Sequence, residues 1–233
     1  MSRWYCLFHP AAPESSARPG RNSSRGSAQD SEEKYGRPER RANLKPLLMQ
    51  QTVSPQQLSG TIAAIPSKSW AHRELIAAAL GAPDHAVLVR FRGGSNDIEA
   101  TCRALRGLGA KIERLPGTGA RVEGISRAER NTLTETPVLD CGESGTTLRY
   151  LLPVAAALNG PAGVIFTGSG RLPARPQEPL AGELERHGIT LDYAEASPGA
   201  LLPVRLTGRL LPGAYALSGA VSSQFLGGLL YAL

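Results

Sequence analysis

A short polar turn of sequence ESGTTLR, at residues 143–149, leads directly into an Ala- and Leu-rich run over residues 150–158. The run stops at Asn159-Gly160. Small polar residues are preferred where helices begin, and Gly or Asn where they end. The stretch therefore predicts a helix that begins at the polar turn, and its recurrence along the chain decides the fold.

The same pattern occurs twice more, which indicates an internal repeat. Residues 68–73, KSWAHR, precede an apolar run that ends at Gly81, and residues 221–224, VSSQ, precede an apolar run over 225–233. The serines that open the three runs, Ser69, Ser144 and Ser222, are 75 and 78 residues apart. Three similar helix starts are therefore predicted.

The segments between these helices repeat as well. Residues 105–112 and 184–191 both read as a helix end, a Gly stop and a new strand, 79 residues apart. Short apolar runs predict further strands at residues 87–90, 120–124, 164–167 and 202–206. The predicted fold class is α/β, with two repeated βαβαββ units and a third, incomplete unit.

Charge divides the chain into a basic tail and a nearly neutral remainder. Of the net charge of +6, residues 1–45 carry +4, from nine Lys/Arg and five Asp/Glu. This composition predicts a disordered tail or a mis-called start at 1–46, a lead-in strand segment at 47–61 and a folded lobe at 62–233. Aromatic residues make up only 5% of the chain, which argues against a stacking surface for nucleic acid.

The cysteines and apolar runs indicate an intracellular protein. Cys6, Cys102 and Cys141 lack the CxxC spacing of zinc sites and disulfide frameworks. No apolar run approaches the ~18 residues of a membrane helix, and residues 1–13 have too short and mixed an apolar stretch for a secretory signal. We therefore expect a cytoplasmic protein with reduced thiols, no metal and no membrane partner.

Basic residues near the predicted helix starts suggest a site for anions. Each serine there is adequately explained as an ordinary N-cap, but Lys68, Arg73 and Arg149 are not, because cations are unfavourable at the positive end of a helix. A bound phosphate or carboxylate would make them favourable. The loop at 168–176 adds Arg171 and Arg175, and Arg175 is expected to be extended because Pro176 follows it. His72 is interpreted as a cap or surface residue rather than a general base.

Four segments together resemble the 5-enolpyruvylshikimate-3-phosphate synthase family. They are residues 58–73, residues 140–149, the loop through Arg171 and Arg175-Pro176, and residues 221–225, in family order and spacing over residues 47–233. The resemblance implies a two-lobed enzyme of three βαβαββ units per lobe, without metal or organic cofactor. It also implies transfer of the enolpyruvyl group from phosphoenolpyruvate to the 5-hydroxyl of shikimate 3-phosphate, in aromatic amino acid biosynthesis, by an enzyme that is monomeric when complete.

The resemblance also assigns roles to individual residues. Shikimate 3-phosphate is expected to contact Lys68, Ser69, Arg73, Ser222, Ser223 and Gln224, and phosphoenolpyruvate to contact Lys68, Gly145, Arg175 and Gln224. The catalytic acid/base residues are expected beyond Leu233, so that this chain alone is expected not to turn over. Glu143 stands where the family commonly has Asn, which puts a carboxylate near the expected phosphoenolpyruvate site.

Three alternatives remain at this point. The related enolpyruvyl transferase that acts on UDP-N-acetylglucosamine would share the architecture, although the SGTTLR and SSQ motifs favour the shikimate enzyme. A truncated, non-catalytic anion-binding lobe would share the site. RNA binding by the tail predicts an affinity that falls with salt and disappears without residues 1–46.

Removal of residues 1–46 is expected to leave the melting temperature unchanged, because their composition cannot bury enough apolar surface to offset ordering. Thermal unfolding of the full and shortened chains tests this expectation. A drop of several degrees would show that the tail contributes to the fold.

Overall fold

The computed structural model describes residues 5–6, 59–61, 67–81, 84–126, 135–158, 160, 162–194, 201–218 and 220–233. The chain separates into two compact units, Pro10–Ala63 and the remainder, and the elements below belong to the remainder. They are, in order, β1 (Tyr5–Cys6), α1 (Lys68–Gly81), β2 (Ala86–Arg90), α2 (Asn96–Gly107), β3 (Lys111–Leu115), β4 (Gly119–Glu123), β5 (Val138–Asp140), α3 (Gly145–Leu158), β6 (Val164–Thr167), α4 (Leu180–Arg186), β7 (Ile189–Tyr193), β8 (Val204–Gly208), β9 (Ala214–Tyr215) and α5 (Ser223–Ala232), with a 3₁₀ turn at Leu172–Ala174.

Two sheets of the same topology confirm the predicted repeat. The first has the strand order β2-β4-β3 and the second β5-β6-β8-β7, so that β6-β8-β7 reproduces the first sheet. In the first sheet β4 lies between β2 and β3 and is antiparallel to both. In the second sheet β8 lies between β6 and β7 and is antiparallel to both. Strand β5 extends the second sheet by pairing in parallel with β6. The second unit has the complete βαβαββ order. The first unit has αβαββ, and its predicted lead-in at 47–61 lies outside the described residues except for 59–61.

One strand begins later than predicted because of a proline. The strand expected at 202–206 is β8, which begins at Val204. Pro203 lacks the N–H group that a sheet ladder needs, so pairing starts after it. Within the predicted tail, only β1 is described, and it pairs in parallel with β9. The rest of residues 1–46 lies outside the described residues, and the dispensability of the tail stays a prediction.

The buried core surrounds α3. Eleven of its fourteen residues are buried, and α1, α2 and α5 all contact it. The approach of α5 is especially close, because a Cβ atom at Gly228 would lie 2.5 Å from the Arg149 carbonyl oxygen. This contact places the first turn of α5 beside the first turn of α3.

Serine side chains cap the repeated helices, with one correction to the predicted register. Ser144 Oγ accepts from the Thr147 backbone N–H at 3.1 Å, and Ser222 Oγ accepts from the Gln224 N–H at 3.2 Å. In the first unit the cap is Ser67, which accepts from the Trp70 N–H at 3.3 Å, and not Ser69. Helix α1 begins at Lys68, so Ser69 already lies inside its first turn. The capping serines are thus 77 and 78 residues apart, a more regular step than the predicted one.

The replacement of Gly119 by Ala is expected to lower the free energy of unfolding by about 3 kcal/mol or more, because backbone strain and overpacking add. Gly119 has φ +142°, and a Cβ atom there would overlap the Val89 carbonyl oxygen of β2. Gly117→Ala is the matched control, since its φ is +73° but the space around it is open, and it should cost about 1 kcal/mol. Urea unfolding of both variants measures the difference, and equal losses would contradict the packing argument.

Candidate functional site

A cleft of about 360 Å³ lies where α3 and α5 begin. Its lining is polar and includes three of the predicted ligand residues. The lining residues are Asp97, Glu143, Ser144, Gly145, Thr146, Arg149, Arg175 and Gln224. Segments that are distant in the sequence therefore meet at the N-terminus of one helix.

Arg175 reaches the cleft because of the turn that precedes it. Its backbone N–H donates to the Leu172 carbonyl at 3.0 Å and closes the 3₁₀ turn. Its own φ and ψ are −81° and 129°, the extended conformation predicted for a residue before proline. The guanidinium group then lies against Gly145, since a Cβ atom on that glycine would be 2.7 Å from Arg175 Nη1.

Gln224 is held by residues of α3 at both ends of its amide. Its Nε2 donates to Thr146 Oγ1 at 2.9 Å, and Arg149 Nη1 donates to its Oε1 at 3.3 Å. The Arg149 guanidinium group also stacks over the Phe225 ring, 5.0 Å from the centroid. Arg149 was singled out in the sequence as a cation at a helix start, but its role as a support for Gln224 becomes visible only with the helices packed.

Two arginines are neighbours in the cleft, which the carboxylates of Asp97 and Glu143 also line. Burial, and then the neighbouring Arg175, lower the pKa of Arg149, which means that its charged form is disfavoured where it stands. Arg149 Nε is buried and has no hydrogen-bond partner among the described residues. Two guanidinium groups beside the positive end of α3 repel each other unless an anion lies between them or close by.

Lys68 is linked to this cleft through an ion pair that the sequence did not predict. Its Nζ lies 3.0 Å from Asp97 Oδ2, and Asp97 lines the cleft from the first turn of α2. Lys68 also lines a second cavity, of about 400 Å³, together with Ser69 and Arg92. Lys68 therefore lines one cavity and is paired with a residue that lines the other.

The remaining predicted ligands lie near the cleft but do not line it. Arg73 Nε donates to the Tyr150 hydroxyl at 2.9 Å, and Ser69 lines the second cavity. Ser222 uses its hydroxyl to cap α5, and Ser223 is exposed as the first residue of that helix. Gly145, Arg175 and Gln224 are thus brought together, whereas Ser69, Arg73, Ser222 and Ser223 are not part of the same cleft.

Glu143 lies at the rim of the cleft. Its side chain is exposed and covers the backbone of Gly170, so closely that a Cβ atom on that glycine would overlap the Glu143 carboxyl group. Gly170 has φ +58°, a conformation that glycine adopts without strain. The Glu143 carboxylate is therefore directed toward the loop that carries Arg171 and Arg175.

Two further titratable residues, His72 and Cys141, are buried. His72 is only 2% exposed, so its interpretation as a cap or surface residue is wrong, and burial lowers its pKa. It lies on the face of α1 that carries Leu75, Ile76 and Ala79. Burial raises the pKa of Cys141 to about 12, which leaves this thiol protonated and unreactive at neutral pH.

The fold and the site together define an α/β protein of repeated βαβαββ units with a polar, arginine-lined cleft at a helix N-terminus. Residues 53–233 match the EPSP synthase (3-phosphoshikimate 1-carboxyvinyltransferase) family. The chain belongs to this family.

Individual relatives agree with this assignment. The 3-phosphoshikimate 1-carboxyvinyltransferase of Clostridium beijerinckii is 38% identical over 78% of this chain, and that of Methanoculleus marisnigri is 41% identical over 72%. The structure of EPSP synthase from Acinetobacter baumannii superposes with a TM-score of 0.61 and 26% identity, over 74% of this chain and 37% of that one. The chain spans about 40% of the length of the curated relatives that it matches.

These names do not favour the UDP-sugar enzyme considered above. None of the helices in the described part of the chain has the length and apolar character to span a bilayer. The described residues also contain no cluster of three or more His, Cys, Asp or Glu side chains placed to hold a metal ion.

Gly145→Ala is expected to weaken binding of a phosphate or carboxylate anion in this cleft about tenfold or more, because the new methyl group displaces the Arg175 guanidinium. Folding should change by less than about 0.5 kcal/mol, since Arg175 is exposed and able to move away. Gly81→Ala, at a glycine with open space around it, is the control. Calorimetric titration and urea unfolding check both expectations, and unchanged binding by Gly145→Ala would show that Arg175 need not lie against this helix.

Proposed function

We propose that this chain provides the substrate-binding face of an enolpyruvyl transferase. The reaction transfers the enolpyruvyl group of phosphoenolpyruvate to the 5-hydroxyl of shikimate 3-phosphate and releases phosphate. The observation that carries the proposal is the convergence of Arg175, Arg149 and Gln224 on the N-terminus of α3 at Gly145. Membership of the family supplies the identity of the two substrates.

The cleft suits a small substrate with two anionic groups. Guanidinium groups bind phosphate and carboxylate through paired, charge-assisted hydrogen bonds, and the backbone N–H groups at the start of α3 add to them. Phosphoenolpyruvate in contact with Gly145, Arg175 and Gln224 would relieve the repulsion between Arg149 and Arg175. Gln224 has both a donor and an acceptor, so in this proposal it contacts both substrates.

Lys68 would change partners when substrates bind. In the free protein its ammonium group pairs with Asp97, and both side chains are partly exposed. Exposed ion pairs contribute about 0–1 kcal/mol, so that a phosphate or carboxylate can replace Asp97 at little cost. Lys68, which lines one cavity and is paired with Asp97 of the other, would then contact both phosphoenolpyruvate and shikimate 3-phosphate.

Shikimate 3-phosphate is proposed to bind along the first turns of α1 and α5. Ser69 and Arg73 are supplied by α1, and Ser222, Ser223 and Gln224 by the start of α5. Hydroxyl groups and backbone N–H groups at two helix N-termini suit a phosphate monoester. The acid and base groups for the transfer step are proposed to lie in the part of the relatives' length that this chain does not match.

The setting of the protein follows from the same proposal. We place it in the cytoplasm as a monomer when complete, acting without metal or organic cofactor, in aromatic amino acid biosynthesis. The free thiols of Cys102 and Cys141 support a reducing compartment.

Arg175→Ala and Lys68→Ala are each expected to weaken binding of phosphoenolpyruvate by roughly ten- to hundredfold, or ~1.5–3 kcal/mol, the range for hydrogen bonds to charged groups. Stability should stay within about 0.5 kcal/mol of the parent, because both side chains are exposed. Arg209→Ala, at an exposed arginine outside the cleft, is the matched control.

Titration calorimetry with phosphoenolpyruvate, shikimate 3-phosphate and UDP-N-acetylglucosamine measures both the affinities and the choice of substrate. Preference for the UDP-sugar, or normal phosphoenolpyruvate binding by Arg175→Ala, would overturn the assignment. Phosphate release, measured on the same samples, distinguishes a chain that turns over from a lobe that only binds.

A further inference from the structure

A buried chain of hydrogen-bonding side chains joins three helices and ends at the cleft. His72 Nδ1 of α1 lies 2.7 Å from Thr101 Oγ1 of α2, which lies 2.6 Å from Thr147 Oγ1 of α3. Thr147 Oγ1 in turn lies 2.8 Å from Ser144 Oγ, the cap of α3 and a lining residue of the cleft. All four residues are at most 3% exposed.

The neighbours of Thr147 indicate the direction in which the protons point. Besides Ser144 Oγ, its hydroxyl lies 3.4 Å from the backbone carbonyl oxygen of Asp97, which can only accept. If the Thr147 hydroxyl donates its proton toward Ser144 and Asp97, Thr147 Oγ1 is free to accept a hydrogen bond from the Thr101 hydroxyl. The Thr101 oxygen must then accept from His72, which requires a proton on Nδ1.

The opposite direction would have a different effect at the cleft. If His72 Nδ1 were an acceptor, Thr101 would donate to it, Thr147 to Thr101, and Ser144 to Thr147. The single hydroxyl proton of Ser144 would then be committed to the buried chain. In the first direction Ser144 accepts from the chain, and its own proton stays available.

We propose that His72 is a positioning residue: as an Nδ1–H donor it sets the direction of the hydroxyl chain, so that the Ser144 hydroxyl is free to donate to an anion in the cleft. His72 itself touches no substrate and acts through Thr101 and Thr147. Only the donation by Ser144 rests on the proposed function, because the direction of the chain is a property of the free protein.

The neutral form of His72 is the one that matters. Burial lowers its pKa, and of the charged groups nearby Asp97 acts against this shift while Lys68 adds to it. Neutral imidazole carries its proton on either Nδ1 or Nε2, and the hydrogen bond made by one nitrogen selects the tautomer. The choice of tautomer at His72 is therefore linked to the orientation of the Ser144 hydroxyl.

Imidazole ¹⁵N shifts of the full chain test the direction directly. We expect His72 to be in the Nδ1–H form, and to change to the Nε2–H form in Thr101→Val, which keeps the shape of the side chain but removes the acceptor. Thr101→Ser should retain the Nδ1–H form, and Thr190→Val, at an exposed strand position, should have no effect. The exposed ring of His85 serves as an internal reference. An Nε2–H form in the unmodified chain would overturn the proposal without any variant.

Titration with inorganic phosphate tests the consequence at the cleft. His72→Leu removes the donor and should weaken phosphate binding roughly three- to tenfold, about the effect of one hydrogen bond. His72→Asn places an amide near the position of Nδ1 and should restore most of the affinity.

Arg175→Ala separates the two proposals, because it removes a cleft cation and leaves the hydroxyl chain intact. If Arg175→Ala binds phosphate weakly and His72→Leu binds it normally, the cleft is an anion site and the positioning role is wrong. If the unmodified chain binds no phosphate, the proposed function and the donation by Ser144 both fail, while the ¹⁵N shifts still decide the direction of the chain.

Discussion

The close packing of α5 on α3 is the constraint on which the candidate site depends. A side chain at Gly228 would meet the Arg149 carbonyl oxygen at 2.5 Å, and one at Gly227 would meet the Tyr150 ring at 2.7 Å. Only glycine at both positions lets the two helix axes come this close. One turn earlier, the same approach brings Gln224 within hydrogen-bond distance of Thr146 and Arg149. With larger residues than Gly227 and Gly228 at the contact between α5 and α3, the two helix starts would separate and Gln224 would no longer line the cleft.

The proposal that the cleft binds an anion rests on the two arginines beside the start of α3. Arg149 and Arg175 lie beside the positive end of α3, and burial together with the neighbouring Arg175 disfavours the charged form of Arg149. Part of this cost is offset locally, since Arg149 stacks on Phe225 and donates to Gln224, and Lys68 pairs with Asp97. These partners hold the cations in place, and the carboxylates of Asp97 and Glu143 balance part of their charge. A bound phosphate or carboxylate would complete the arrangement, which is consistent with the family to which the chain belongs.

Repetition of one unit explains how the site is assembled. Each βαβαββ unit begins its first helix with a capping serine, and the caps Ser67, Ser144 and Ser222 open α1, α3 and α5. Because these helices pack on one another, their N-termini supply polar groups to neighbouring openings. The buried chain of hydrogen bonds from His72 through Thr101 and Thr147 to Ser144 then links the first two units. The packing of the repeated helices therefore also brings hydrogen-bond donors from different repeats close together.

The sequence by itself determined the features that depend on neighbours along the chain. Local backbone and capping preferences explain the order of the elements, the Gly stops, the Ser144 cap of α3 and the extended Arg175 before Pro176. Tertiary structure decided the features that join distant segments. The ion pair of Lys68 with Asp97 spans 29 residues, and the bond between Arg149 and Gln224 spans 75. The burial of His72 could have been predicted from the sequence, because His72 shares a helix face with Leu75 and Ile76. Its hydrogen bond with Thr101 could not, because the two residues are 29 positions apart. Side chains so far apart meet only when helices pack, and the distance of closest approach is set by which residues at the contact are small.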